Sequence, residues 1–295
     1  MAQMPNLFIV GAGKAGTTAM HSLLSMHPKI SMSTLKEPHY YSSVQPDPAL
    51  RHLIPTITDK ADYLALFRDV DAPIRGEASP SYLFDPAAAH RIRADVPGAK
   101  ILILLRDPVQ RAFSHYLMDV REGLETRPFL EAVAADDART DRRWGTACHL
   151  YIDLGLYAAQ VGRYLEVFPR ENILVLESAQ LQEQMPSLLD ALAHFLEVDV
   201  GSFQGVPAAT NAFARPRSDV SRRIMRSQRI RISARRLVPA KSRLAVRDRI
   251  LLTTSQRPTL DNASRIALQP RFEADITETR KLLSHPLSTL TSSWV

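Results

Sequence analysis

A doubly wound α/β fold, a mostly parallel sheet with helices on both faces, is predicted by three observations. The apolar runs at Leu7–Val10, Lys100–Leu105 and Asn172–Leu176 have the near-continuous character of strands buried on both faces. Segments with apolar residues at helical spacing alternate with them along the chain. The first run empties into Gly11-Ala12-Gly13-Lys14-Ala15-Gly16-Thr17-Thr18, where glycines allow a tight turn and the threonines open a helix. Free N–H groups and the positive dipole end of such a helix make a phosphate cradle.

In chain order, the first strand covers about 6–10, and the helix from Thr17 ends at His27-Pro28, ahead of a short strand near Ile30. Lys36-Glu37-Pro38-His39-Tyr40-Tyr41 follows, read on pattern alone as a solvated turn with two aromatic anchors, and the proline-rich stretch 43–58 reads as an irregular loop. Asp59–Phe67 is a capped amphipathic helix, and Ile74–Ala78 a strand. Asp85-Pro86 starts a helix running to about Asp95 and stopped by Pro97-Gly98. The strand at 100–105 feeds a helix from Pro108 to about Gly123, and a further helix is expected over Glu125–Ala135. Asp136–Arg143 is then an exposed charged link. The stripe over Gly155–Pro169 is core, the last clear strand is Asn172–Leu176, and a helix covers Met185–Leu196. Leu260–Leu283 predicts a final helix broken at Pro270, with Trp294 docking the end.

The 295 residues suffice for a single domain, an α/β core over 1–210 with a basic helical region over 211–295. The single cysteine, Cys148, excludes an internal disulfide, and no apolar stretch reaches the length of a membrane span. With the first strand so near Met1, a cytoplasmic protein is expected. The formal net charge of +6 is concentrated between Arg215 and Arg249, where thirteen Lys or Arg face two Asp and leave −5 for the remainder. That run reads as helices with an apolar face against the domain or a membrane surface. It lacks stacking aromatics and any nucleic-acid motif, so no nucleic-acid partner is expected.

Three motif families share the outline of the 11–18 loop. It fits G-x-G-x-x-G literally, yet Glu37, at the spacing of a ribose-binding acid, does not end an apolar strand. The triphosphate loop wants its lysine directly before the hydroxyl residue, whereas Lys14 precedes Thr17 by three. The loop resembles instead the 5′-phosphosulfate loop of sulfotransferases that use 3′-phosphoadenosine 5′-phosphosulfate (PAPS). A second motif, Arg106-Asp107-Pro108-Val-Gln-Arg111-Ala-Phe-Ser114 at the end of a strand, resembles the same family's 3′-phosphate motif. The resemblance covers roughly 5–200 and is to the heparan-sulfate and carbohydrate branch.

What the resemblance implies is a PAPS donor held by Gly11, Gly13, Lys14, Ala15, Gly16, Thr17 and Thr18 at the 5′ end. Arg106 and Ser114 take the 3′-phosphate, and a basic loop carrying Arg215 or Arg217 closes over the nucleotide. Lys14 stabilises the leaving phosphate, and Glu37 is the base on the acceptor, with His39 as the alternative. A carbohydrate or other small-molecule acceptor follows, with no metal required. Gly76-Glu77-Ala78 also resembles the family, but where some relatives carry a lysine this chain has Ala78, so that role is absent or moved. Glu77 is either a structural carboxylate or a substrate contact, His115 reads as a packing histidine, and Tyr157 reaches the site from the start of its helix. Two other function classes remain: a small-molecule kinase, and a non-catalytic nucleotide-regulated binding protein.

Overall fold

The computed structural model describes residues 4–43, 45–47, 50–51, 54–67, 72–145, 149–203, 213–227 and 243–294. Cys148 and the 228–242 part of the basic run lie outside these. Five parallel strands, β1 (Leu7–Gly11), β2 (Ile30–Met32), β3 (Ile74–Ala78), β4 (Lys100–Leu105) and β5 (Ile173–Glu177), form one sheet in the order β2-β3-β1-β4-β5. β1 is the middle strand and is buried along its whole length. Leu7, Phe8, Ile9 and Val10 have no exposed surface, and each such side chain contributes about 1.5–3 kcal/mol of burial.

Helices α1 (Thr17–Leu24), α2 (Lys60–Ala65), α3 (Ser81–Phe84), α4 (Ala88–Asp95) and α5 (Pro108–Arg121) lie in the first half. α6 (Phe129–Asp137), α7 (Tyr157–Val167), α8 (Gln180–Glu183) and α9 (Met185–Leu196) follow. The chain leaves β1 toward β2 and β3 on one side, then crosses to β4 and β5 on the other. The switch point of this doubly wound sheet therefore falls between the carboxyl ends of β1 and β4, where such folds bind ligands.

Several boundaries differ from the sequence expectation, each for a local reason. The helix expected from Glu125 begins at Phe129 because Glu125 folds back to accept from Thr126 N and Arg127 N, at 2.7 and 2.9 Å. The helix expected from Asp85 begins at Ala88, since the Asp85 carboxylate receives Ala87 N and the Ser43 hydroxyl. The 136–143 link is not simply exposed: Asp136 is buried and accepts from His149 N and Tyr151 N at 2.6 and 3.2 Å.

Beyond residue 213 the expectation of helices holds for α10 (Asp219–Arg226) and α11 (Arg243–Leu251). They are bracketed by an unexpected antiparallel pair, β6 (Ala214–Pro216) with β7 (Leu252–Thr254). The final helix is divided near Pro270 into α12 (Asn262–Leu268) and α13 (Glu273–Leu283), and a 3₁₀ turn at Ser288–Thr291 leads to Trp294, which packs on the core. Among the described residues no helix is long and apolar enough to cross a membrane.

Candidate active site

The loop after β1 is shaped by two glycines. A Cβ on Gly11 would stand 2.5 Å from Leu83 Cβ, so α3 can approach β1 only over a glycine. Gly16 has φ 95°, the left-handed conformation that turns the chain into α1 without a side-chain cap. The first-turn amides of α1 consequently have no acceptor of the helix's own and stand free for an anion. A Cβ at Gly13 would meet nothing within 4 Å, so the space above the loop is open there. Ala15 and Thr17 are buried, while Thr18 is exposed.

Arg106 leaves β4 and donates from Nη1 to the Lys14 carbonyl oxygen at 3.1 Å, joining the two phosphate motifs across the switch point. Its Nη2 donates to Gln110 Oε1 at 3.3 Å, and its carbonyl accepts from the Tyr157 hydroxyl at 2.8 Å. Tyr157 thus reaches the site through the Arg106 backbone. Burial lowers the Arg106 guanidinium from its ordinary value, and the nearby Arg257 lowers it further. Ser114 is half-buried on α5, one turn before Met118, whose sulfur lies 3.5 Å from Lys14 Nζ; Ser114 therefore shares the helix side turned to the β1–α1 loop. Lys14 is lowered from its usual value by burial, opposed by Glu37 and then by Asp119.

Glu37 reaches the same region because its N–H donates to Ala78 O at 3.0 Å, tying the 33–42 segment to the end of β3. The Glu37 carboxylate pairs with Lys36 and faces His39 Nε2 at 3.7 Å. Burial alone would raise it, but His39 and then Lys36 hold it down at about 2. His39 is 2% exposed: its Nδ1 bonds Ser81 Oγ at 2.7 Å, and its ring lies against Trp144 with centroids 4.6 Å apart.

Glu77 is fully buried and accepts from the hydroxyls of Tyr63, Ser79 and Tyr82 at 2.6, 2.6 and 2.9 Å. Burial pushes its carboxyl up to about 7. Its acceptor capacity is used inside the core, so of the two roles open to it the structural one is observed. His115 is half-buried and stands edge-on to Tyr151, and desolvation pushes it down to about 3, fitting the packing role.

Arg217 departs from expectation. Its Nε donates to Leu252 O at 2.6 Å and its Nη2 to Arg249 O at 2.8 Å, so its guanidinium braces the β6–β7 pair. Among the described residues, Arg257, in the loop between β7 and α12, stands near enough to Arg106 to lower it electrostatically, a position that the charge count alone gave no reason to single out. Also missed was a second histidine–carboxylate pair. His149 Nδ1 lies 3.0 Å from Asp119 Oδ2, which also accepts from the Tyr151 hydroxyl at 2.7 Å. No sequence spacing links 119 to 149; the pairing exists only once α5 and the 149–152 segment pack.

The Sulfotransferase domain family model matches residues 4–212, most of the chain. The chain belongs to the sulfotransferase family. This sulfotransferase is 30% identical to a solved sulfotransferase from Alicyclobacillus acidocaldarius, with a TM-score of 0.73 over 98% of this chain and 99% of that one. It is 28% identical over 204 residues to the bifunctional heparan sulfate N-deacetylase/N-sulfotransferase 1 of Caenorhabditis elegans, covering 68% of this chain and 23% of that protein. It is also 28% identical over 201 residues to the human heparan sulfate glucosamine 3-O-sulfotransferase 3B1, covering 66% of this chain and 46% of that protein. The chain thus spans less than half the length of these curated relatives. Membership in this family sets the kinase reading aside.

Proposed function

We propose that this sulfotransferase moves the sulfuryl group of PAPS, in line, to a hydroxyl or amine of a carbohydrate or other small-molecule acceptor. The observation that carries the reading is the bond from Arg106 to the Lys14 carbonyl, which couples a 5′-phosphate cradle to a cation at the next strand end. The residues present fit the donor: free amides at the start of α1, open space over Gly13, and the Arg106 cation, which Arg257 is near enough to lower. When bound, PAPS supplies an activated sulfuryl group on a phosphate leaving group.

The chain's own residues then have three tasks. The amides of residues 13–18, other than Ala15 N, which donates to Ala12 O at 3.1 Å, hold the 5′-phosphate with the Thr17 and Thr18 hydroxyls, while Arg106, Ser114 and Arg257 hold the 3′-phosphate. Lys14 places a positive charge where the leaving oxygen becomes anionic. Glu37 receives the acceptor's proton, and His39, sealed behind it and committed to Ser81, positions it. An acceptor hydroxyl that displaces Lys36 from Glu37 raises the carboxyl toward its ordinary range and so strengthens it as a base.

The test is calorimetric binding of 3′,5′-adenosine bisphosphate (PAP) against ADP and AMP, with Arg106→Ala as control. Preference for PAP that disappears in the variant is the expected result. Preference for ADP, or equal affinity for all three, overturns the assignment. A cytoplasmic setting is part of the same proposal, in keeping with the lone cysteine.

A further inference from the structure

Arg106 is braced from the far end of the described chain. Gln110, which accepts from Arg106 Nη2 at 3.3 Å, donates from its own Nε2 to Ser292 Oγ at 3.4 Å. Beside it, Asp107 caps α5 with Oδ1, accepting from Val109 N and Gln110 N at 3.0 Å each, and its Oδ2 accepts from Ser293 N at 2.8 Å in a buried contact. At the next strand end, Glu177 Oε2 accepts from Thr289 N and Thr289 Oγ1 at 2.7 and 2.6 Å. Asp275 of α13 accepts from Tyr157 N and Ala158 N, fixing the helix whose Tyr157 hydroxyl holds the Arg106 carbonyl. The 3₁₀ turn that presents these donors is itself held by Arg280, which donates to Leu287 O and Thr291 Oγ1, both at 3.3 Å.

Two carboxylates at strand ends, Asp107 and Glu177, therefore serve as sockets for residues past 270, a third, Asp275, reaches back from that region to the start of α7, and two routes lead from there to Arg106. One enters its guanidinium through Gln110, the other its carbonyl through Tyr157. A guanidinium held at two points needs less ordering when an anion arrives, and less ordering means tighter binding. We propose that residues 288–294 are a positioning element of the nucleotide site, acting through Gln110 and Ser292 to fix the Arg106 guanidinium for the 3′-phosphate. This rests on the donor assignment above, and goes beyond it by making the 3′-phosphate affinity depend on a segment outside both phosphate motifs and outside the family match at 4–212.

The experiment is calorimetric titration of the full chain with PAP and with AMP for the wild type, Gln110→Ala, Ser292→Ala, Arg106→Ala and the Arg106→Ala/Ser292→Ala double variant, each checked by thermal melting. Ser292 is exposed and Gln110 half-buried, so both single variants should fold normally. The expected result is a threefold to tenfold loss of PAP affinity in Gln110→Ala and Ser292→Ala, in the range of one net hydrogen bond, with AMP affinity unchanged. Ser292→Ala should add nothing in the Arg106→Ala background. The inference is overturned if both single variants bind PAP within twofold of wild type, if AMP weakens in parallel with PAP, or if the Ser292→Ala loss persists without Arg106. A wild type that fails to prefer PAP over AMP overturns the donor assignment itself, and this inference with it.

Discussion

His39 Nε2 faces Glu37 Oε2 at 3.7 Å from a position almost closed to solvent, while Glu37 is the outer partner with 36% of its side chain exposed. In the proposed function the two residues therefore differ in kind: Glu37 meets the acceptor and His39 orients Glu37. Glu37→Gln should lower kcat by about two to four decades. His39→Asn should cost less and leave PAP affinity unchanged. Initial rates of PAP formation with an acceptor found by screening check this, and a His39 variant as slow as the Glu37 variant would reverse the roles. The low carboxyl pKa also has a stability consequence. A group depressed from 4.5 to about 2 contributes stability that is present above the upper value and lost as pH falls through the lower. The difference in melting temperature between wild type and Glu37→Gln should therefore shrink as the pH drops from about 4.5 to 2.

In the proposed function Lys14 bears the charge stabilisation of the leaving phosphate. Removing one preorganised group of this kind costs roughly 3–4 kcal/mol, so Lys14→Ala should reduce kcat by about two to three decades with the circular dichroism spectrum unchanged. Near-normal turnover would remove Lys14 from the mechanism.

The glycines of the loop should separate folding from binding. Gly11→Ala forces a Cβ to within 2.5 Å of Leu83 Cβ, an overpacking that costs about 1–3 kcal/mol and should show as a lower melting temperature. Gly13→Ala meets nothing within 4 Å and should melt like wild type, yet bind PAP more weakly if the donor's phosphate approaches the open backbone there, as proposed. Equal melting temperatures for the two variants would contradict this packing.

The His149–Asp119 pair should be visible in titration. Burial lowers His149, but the Asp119 carboxylate outweighs it and leaves the imidazole above its ordinary value. Asp119→Asn should therefore move the His149 transition to lower pH in an NMR titration. A raised histidine contributes stability below its unfolded pKa that is lost as pH rises through the folded one, so the variant should lose most stability at acidic pH.

The five parallel strands and most helices were legible because each is a local pattern: continuous apolar runs for strands buried on both faces, a 3.6 period for helices, proline or glycine at their ends. The two motifs that carry the family resemblance were legible because Gly11–Thr18 and Arg106–Ser114 are contiguous in the chain. What escaped was set by distant packing. Arg217 and Arg257 both lie in the basic C-terminal third, and only the β6–β7 pairing decides that one is consumed by backbone carbonyls while the other stands near Arg106. The saturation of Glu77 by Tyr63 and Tyr82 likewise depends on α2 and α3 closing over β3. The proposed preference for Glu37 over His39 rests on Ser81 and Trp144, residues 42 and 105 positions beyond His39.

The Asp107–Ser293 contact spans 186 positions, and this has a consequence for how the molecule is made. At roughly 5–20 residues per second, about 10–40 s of translation separate the appearance of Arg106 from that of its last brace. During that interval the β1–α1 loop, the β4 cation and its contacts to Lys14, Gln110 and Tyr157 come to exist on the ribosome, while the bracing from Ser292 and Ser293 still does not. A nascent chain would thus form its central sheet well before it could grip a nucleotide tightly, so premature capture of the donor by an unfinished polypeptide is disfavoured by synthesis order alone.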